Sequence, residues 1–232
     1  MKDYFSPQVG FMRRFLLIVW LLTFTTSVLA GQLASPLPVG GFSHDYNIYL
    51  GDSKIGEHHI RIQSANQMIQ VSHRIQMNAT FVFVTLYELQ HESHELWMED
   101  DSPQRAKLIS YESSSIENGT PYKVSGKSTD GGFQIVTATG TVMAPKDIAT
   151  TDSFWVDMSV LHPQLLDSVK GKIVPAAVKA LGSVVESGKK TERYELEAGD
   201  RSAEGWFANE ILVKAIINRG GHQIYYKPVQ TQ

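Results

Sequence analysis

From Gly41 onward the apolar positions of this chain recur at every second residue. In MIQVSHRIQM, Ile69, Val71, His73, Ile75 and Met77 share one face, and Gln70, Ser72, Arg74 and Gln76 share the other. A period of two over this length predicts a half-buried β-strand. HHIRI repeats the pattern, with His58, Ile60 and Ile62 opposed to His59, Arg61 and Gln63. Near the C-terminus Tyr194, Leu196 and Ala198 alternate with Arg193, Glu195 and Glu197. Between such runs stand GDSK at Gly51, ENGT at Glu117, TDGG at Thr129, ESGK at Glu186, AGDR at Ala198 and RGG at Arg219. Each carries the Gly, Asn or Asp that a tight hairpin needs for positive φ. Short loops at about ten-residue spacing predict strands that pair in sequence order, as an antiparallel meander. One helix is predicted over Pro163–Lys170. Pro163 would take its first position, Leu165, Leu166 and Val169 would face inward, Lys170 would lie in the last turn, and Gly171 would end it. The expected fold is mainly β: a long, curved antiparallel meander sheet, half-barrel or barrel-like, with one short helix.

The N-terminus breaks this pattern. Phe15 to Ala30, FLLIVWLLTFTTSVLA, carries no charge, follows Arg13 and Arg14, and ends in the small-residue site Val28-Leu29-Ala30. That order is the order of a secretory signal peptide. The rival reading is an uncleaved anchor in the inner membrane, facing the periplasm. The segment is short against the roughly 20 apolar residues of a spanning helix, and it includes Thr23, Thr25, Thr26 and Ser27. Met12 is an alternative start that would leave the opening MRRFLL. The domains expected are therefore a signal peptide over residues 1–30, a flexible Gly/Pro-rich linker over 31–41, and a single antiparallel β domain over 42–232. The location expected is periplasmic.

Composition narrows the function classes. The chain has no cysteine, which excludes disulfides, thiolate ligands, a cysteine nucleophile and a lipidated cysteine anchor. An exported domain of this kind must be held by its core alone, and 42% hydrophobic residues suffice for one. The formal charge is −3, and loss of the leader, with three basic residues and one acidic, makes the remainder more acidic. An acidic surface argues against a nucleic-acid partner and against docking on anionic lipid by charge.

The stretch HESHELW, His91 to Trp97, is the densest group of metal-type side chains. In a helix His91, His94 and Glu95 would share a face and form a metal triad. The flanking FVFV and TLY are β-formers, so a strand is predicted instead. His91, Ser93, Glu95 and Trp97 then point one way and Glu92, His94 and Leu96 the other, and the two histidines cannot hold one ion. The expectation is a polar outer end of a long strand, with carboxylates and imidazoles paired across neighbours, and no metal or other cofactor. His58 and His73 fall on apolar faces and are expected in the core. There is no Gly-x-Ser-x-Gly elbow, Walker loop or Gly-x-Gly-x-x-Gly. Glu99, Asp100 and Asp101 lack the spacing and glycine of a calcium loop.

Aromatic side chains offer a different chemistry. Tyr46, Tyr49, Tyr87, Tyr111 and Tyr122 lie in predicted strands, and Trp97, Trp155 and Trp206 follow the leader. On the concave face of a curved sheet such side chains can line a pocket. Large aromatics also dominate ordinary cores, which is the competing reading. The contact surface expected for a ligand is Trp97, Tyr111, Trp155, His162 and Trp206.

YNIYLGDSKIGEHHIRI resembles the opening hairpin of an exported bacterial family, the DUF-6134 type, and more distantly the DUF-3108 type. The first strand ends in a Gly/Asp turn, here Gly51 and Asp52, and the second begins Ile-Gly, here Ile55 and Gly56. The resemblance continues through FVFVTLYELQHESHELW, LISYESSSIENGTPYKVSG, HPQLLD, YELEAGDRSAEGWF and LVKAIINRGGHQIYY. It implies an exported antiparallel β protein and supplies no catalytic residues. The shape it implies is similar to the curved half-barrel of periplasmic lipoprotein carriers. The function expected is a non-enzymatic exported β protein whose apolar groove binds a lipid, another apolar small molecule or a cell-envelope protein. The alternatives are an envelope component without a small ligand, and a hydrolase using a His/carboxylate pair from facing strands.

Overall fold

A computed structural model describes residues 41–81, 84–99, 106–155, 163–186, 188–209 and 211–229. The strands are β1 (Phe42–Leu50), β2 (Ser53–Ala65), β3 (Met68–Phe81), β4 (Val84–Glu99), β5 (Ala106–Glu117), β6 (Thr120–Thr129), β7 (Gly132–Thr137), β8 (Gly140–Ala144), β9 (Ala149–Thr150), β10 (Gln164–Leu166), β11 (Ile173–Glu186), β12 (Lys189–Ala198), β13 (Arg201–Ala208), β14 (Ile211–Arg219) and β15 (His222–Pro228). They form one sheet in the order β8-β7-β6-β5-β4-β3-β2-β1-β15-β14-β13-β12-β11-β10-β9. Two meanders are thus zipped together where β1 pairs antiparallel with β15, Ile48 opposite Tyr226. Every described pairing is antiparallel except that of β9 with β10. Among the described residues no helix is long and apolar enough to cross a membrane.

The order of the strands requires the sheet to curl. Laid flat, fifteen strands would put β8 and β9 about 65 Å apart at the usual strand spacing. Yet only Pro145–Ile148 connects them, and so short a link spans less than about 20 Å. The two edges must therefore approach one another, although they do not pair, and the sheet is barrel-like and open. Register shifts in β1/β2, β3/β4, β4/β5, β11/β12 and β13/β14 supply the local bends.

The alternation read from the sequence is the inside/outside alternation of this barrel. His58, Ile60 and Ile62 on β2 and Ile69 to Met77 on β3 are buried at every second position. Most expected turns are present: Asn118 and Gly119 both have positive φ, as do Gly220 and Gly221. Asn66 and Gln67 turn β2 into β3 with φ of 53° and 63°. No glycine marks that turn, and it was not among those expected.

The predicted helix over Pro163–Lys170 is not there. Gln164–Leu166 is a short strand, parallel to β9 and antiparallel to β11. A tight turn follows, in which Asp167 Oδ1 accepts from the backbone N–H groups of Val169 and Lys170 at 3.0 and 2.9 Å. The Gly171 N–H donates to the Asp167 carbonyl at 2.8 Å, with Gly171 at φ +69°. The proline and glycine therefore punctuate a strand and a turn. Leu165, Leu166 and Val169 are nevertheless buried, as their pattern required. The one short helix described is a 3-10 turn at Thr151–Trp155.

Candidate functional site

HESHELW lies within β4, and its two histidines do point to opposite sides: His91 is buried and His94 exposed. The expected outer position of His91, Ser93 and Glu95 is overturned. All three face the lumen, with exposures of 1%, 0% and 3%. The reason lies far away in the sequence. The segment of β9, the 3-10 turn and Asp167–Ser168 is inserted against the inner faces of β4 and β5. Such a segment carries backbone and side-chain polar groups that burial would otherwise leave unpaired. The wall facing it is polar to match: Tyr111 and Ser113 on β5 donate to the Ser168 carbonyl at 2.8 and 2.7 Å.

Asp152 is the hub of this insert. Its Oδ2 accepts from His91 Nε2 at 2.8 Å and Ser93 Oγ at 2.6 Å, and its Oδ1 accepts from Ser168 Oγ at 2.6 Å. Burial alone would raise the Asp152 carboxyl, but the His91 charge and the hydrogen bonds outweigh it and hold the group well below the usual range. Burial likewise opposes the His91 cation, and Asp152 overcomes it, so the imidazole titrates above its ordinary value. Glu95 is the second buried carboxyl, bonded by Thr150 and by Trp97 Nε1, the latter at 2.7 Å. Burial and the Asp152 charge push it up to about 7. On the adjoining strands β2 and β3, where His73 stands opposite Ser93, His58 Nε2 lies 3.1 Å from His73 Nδ1, a cross-strand pair kept neutral by burial.

Beside this network is a cavity of about 150 Å³. On the β1–β4 side its wall is Tyr46, His58, Ile60, Ile75, Met77 and Leu89; on the β12–β15 side it is Leu196, Ala198, Ala203, Leu212, Ala215, Ile217, Ile224 and Tyr226. His91, Thr151, Asp152 and Ser168 form a polar flank. Arg201 and Arg219 also line it. They sit near the barrel end that carries the β1–β2, β5–β6, β12–β13 and β14–β15 turns, as the registers dictate. At this end Glu117 accepts from Arg219 at 2.7 Å and pairs with Lys170 at 2.7 Å, while Asp167 accepts from Arg201 at 2.8 Å.

The residues expected to contact a ligand do not gather at this cavity. Trp97 and Tyr111 are fully buried in the β4/β5 wall and Trp206 is stacked between Arg193 and Lys214, at 5.2 and 4.6 Å. None of these three is among the lining residues. His162 and the Trp155 side chain lie outside what the structure describes. The lining that was missed is small: Ala198, Ala203 and Ala215 leave the space that larger side chains would fill. The inward position of Ala198 was legible in the alternation of β12, but those of Ala203 on β13 and Ala215 on β14, and the void the three share, were not.

An open, near-complete β-barrel with a polar insert and an apolar lumen defines the class: a barrel-like β protein built around an internal cavity. The chain belongs to the family described as "Domain of unknown function (DUF6134)", matched over residues 46–229. No curated protein matches it significantly. A solved structure, a β-barrel-like protein of the DUF1849 domain of unknown function from Brucella abortus, superposes with a TM-score of 0.56 at 10% identity, covering 84% of this chain and 98% of the other. That likeness concerns the fold.

Proposed function

We propose that this protein is an exported, non-enzymatic binder of a small, largely apolar molecule held in the barrel lumen. The observation that carries the reading is the cavity of about 150 Å³ with mainly aliphatic walls and a few polar groups on one flank. Pockets with that division of lining are the ones that bind small molecules and cofactors. An engineered apolar cavity of similar volume admits a ring the size of benzene. A whole two-chain lipid is therefore too large to be enclosed, and the ligand is a small ring or one chain end. Titration with the neutral fluorophore N-phenyl-1-naphthylamine, whose phenyl ring is the part of the size the cavity admits, tests this. Saturable one-site enhancement is expected in the wild type and its loss in Ala203→Phe, which fills the space. Equal enhancement in both proteins, with the variant folded, would refute lumen binding.

One observation speaks for a hydrolase: Ser115 Oγ, His91 and Asp152 form a continuous chain, with 2.7 Å from Ser115 Oγ to His91 Nδ1. Asp152 favours the cationic form of His91, in which both ring nitrogens donate and Nδ1–H faces the serine, whereas a general base works from the neutral form. Ser115 is also buried and does not line the lumen cavity. Ser115→Ala should leave any esterase background on p-nitrophenyl acetate unchanged.

A further inference from the structure

Two residues lining the lumen cavity carry polar atoms with no hydrogen-bond partner among the described residues. His58 is 7% exposed and lines the cavity, and its Nε2 is committed to His73. Its Nδ1 has no hydrogen-bond partner among the described residues. Tyr226 is 9% exposed, lines the same cavity, and packs edge-on to the His58 ring at 6.0 Å between centroids. Its hydroxyl likewise has no partner among the described residues. Tyr46, the neighbouring phenol, shows the contrast, because it donates to the Leu212 carbonyl at 2.8 Å. Polar groups on side chains as buried as these are nearly always paired, so two unpaired groups on residues lining one apolar space mark the place of a ligand's head group.

Charge selects the kind of head. The lining itself carries Arg201 and Arg219 against one carboxylate, Asp152, which His91 balances; Glu117, Asp167 and Asp200 pair with the two arginines from outside the lining. Arg219 spends two donors, on Tyr87 and Glu117, and Arg201 one close donor on Asp167, so each guanidinium retains further N–H groups. Tyr226 lies within electrostatic reach of Asp152 and of both arginines. We infer that the lumen takes a small monocarboxylate, its carboxylate accepting from the Tyr226 hydroxyl and the free arginine N–H groups, its apolar body against Ala198, Ala203 and Ala215. His58 Nδ1 is a second contact, donor or acceptor according to which histidine of the pair holds the shared proton.

This inference rests on the apolar-lumen reading, and the test separates the two. N-phenyl-1-naphthylamine is bound first and then displaced by octanoate or by octylammonium, which share a tail and differ in charge. Octanoate should displace the probe at a concentration at least tenfold below octylammonium. In Tyr226→Phe the ratio of the octanoate to the octylammonium inhibition constant, each corrected for the variant's own probe affinity, should rise about ten- to hundredfold, the loss of one charge-assisted hydrogen bond. Equal competition by the two amphiphiles overturns the carboxylate assignment and leaves the lumen reading standing, as does an unchanged ratio in the variant. No probe binding at all sinks both. The wild-type comparison decides the charge preference even where the variant fails to fold.

Discussion

The decisive residues are Asp152, His91 and Glu95, because each is an ionisable group taken out of water. Removing one partner of a buried pair leaves the other uncompensated, at a cost of about 3–5 kcal/mol. Asp152→Asn should lose that much in urea unfolding, and the double variant with His91→Gln should lose much less than the sum of the singles. A loss under half a kcal/mol would mean that the pair is not buried. Glu95 gives a pH signature. Its folded pKa, about 7, lies above the ordinary carboxylate value, so the folded state holds this proton more tightly than the unfolded chain. The resulting stability is fully present below about pH 4, declines as pH rises, and is gone above about pH 7. Glu95→Gln stays neutral and can keep the bonds to Trp97 and Thr150. Relative to wild type it should gain stability between pH 5 and pH 8, on the order of 2 kcal/mol. A difference that does not change with pH would show that Glu95 is not shifted. At this scale the sequence revealed which way each side chain of β4 points relative to its neighbours. It concealed that the polar side was the inner one, because the group that makes it so, Asp152, is some sixty residues further on.

Among the elements, β10 and the β2–β3 pair make the sharpest claims. Leu166 is fully buried where β10 joins the far end of the sheet. Leu166→Ala should cost about 2–5 kcal/mol, read as a lowered urea midpoint with an unchanged slope. The wild-type midpoint would show that β10 is not part of the core. The pattern of Leu165, Leu166 and Val169 foretold burial correctly and helix wrongly, since a short apolar run has no period that separates the two. Gly56 belongs to a closer contact. A Cβ there would lie 2.1 Å from the Gln76 carbonyl oxygen on β3, backbone that cannot step aside. Gly56→Ala should destabilise by about 1–3 kcal/mol, whereas Gly51→Ala meets no neighbouring atom and costs only the strain of its positive φ. Equal unfolding midpoints for the two variants would contradict the close approach.

For the whole molecule, the closing link Pro145–Ile148 matters more than any single contact. It forces β8 and β9 together, curls the sheet and creates a lumen, which β9, the 3-10 turn and Asp167–Ser168 then fill on one side and the alanines of β12–β14 leave empty on the other. Export is the remaining whole-chain proposal. Protein recovered from a periplasmic fraction should begin at Gly31, by N-terminal sequencing. Retention of Phe15–Ala30 in a membrane fraction would support the anchor instead.

Alternation and turn chemistry are local, so the sequence by itself determined the strands, most of their turns, their meander pairing and the division of each strand into two faces. Its stretch of family-like hairpins pointed to the same fold. What only the tertiary structure decided was everything that depends on distant segments meeting. Curling set which face of β4 became the interior. The crossing from β8 to β9 carried Asp152 to His91, and the pairing of β2 with β3 brought His58 to His73. A cavity is an absence of side-chain volume, shared among strands far apart in the chain. Sequence reasoning looked for it in the largest side chains, and packing left it beside the smallest.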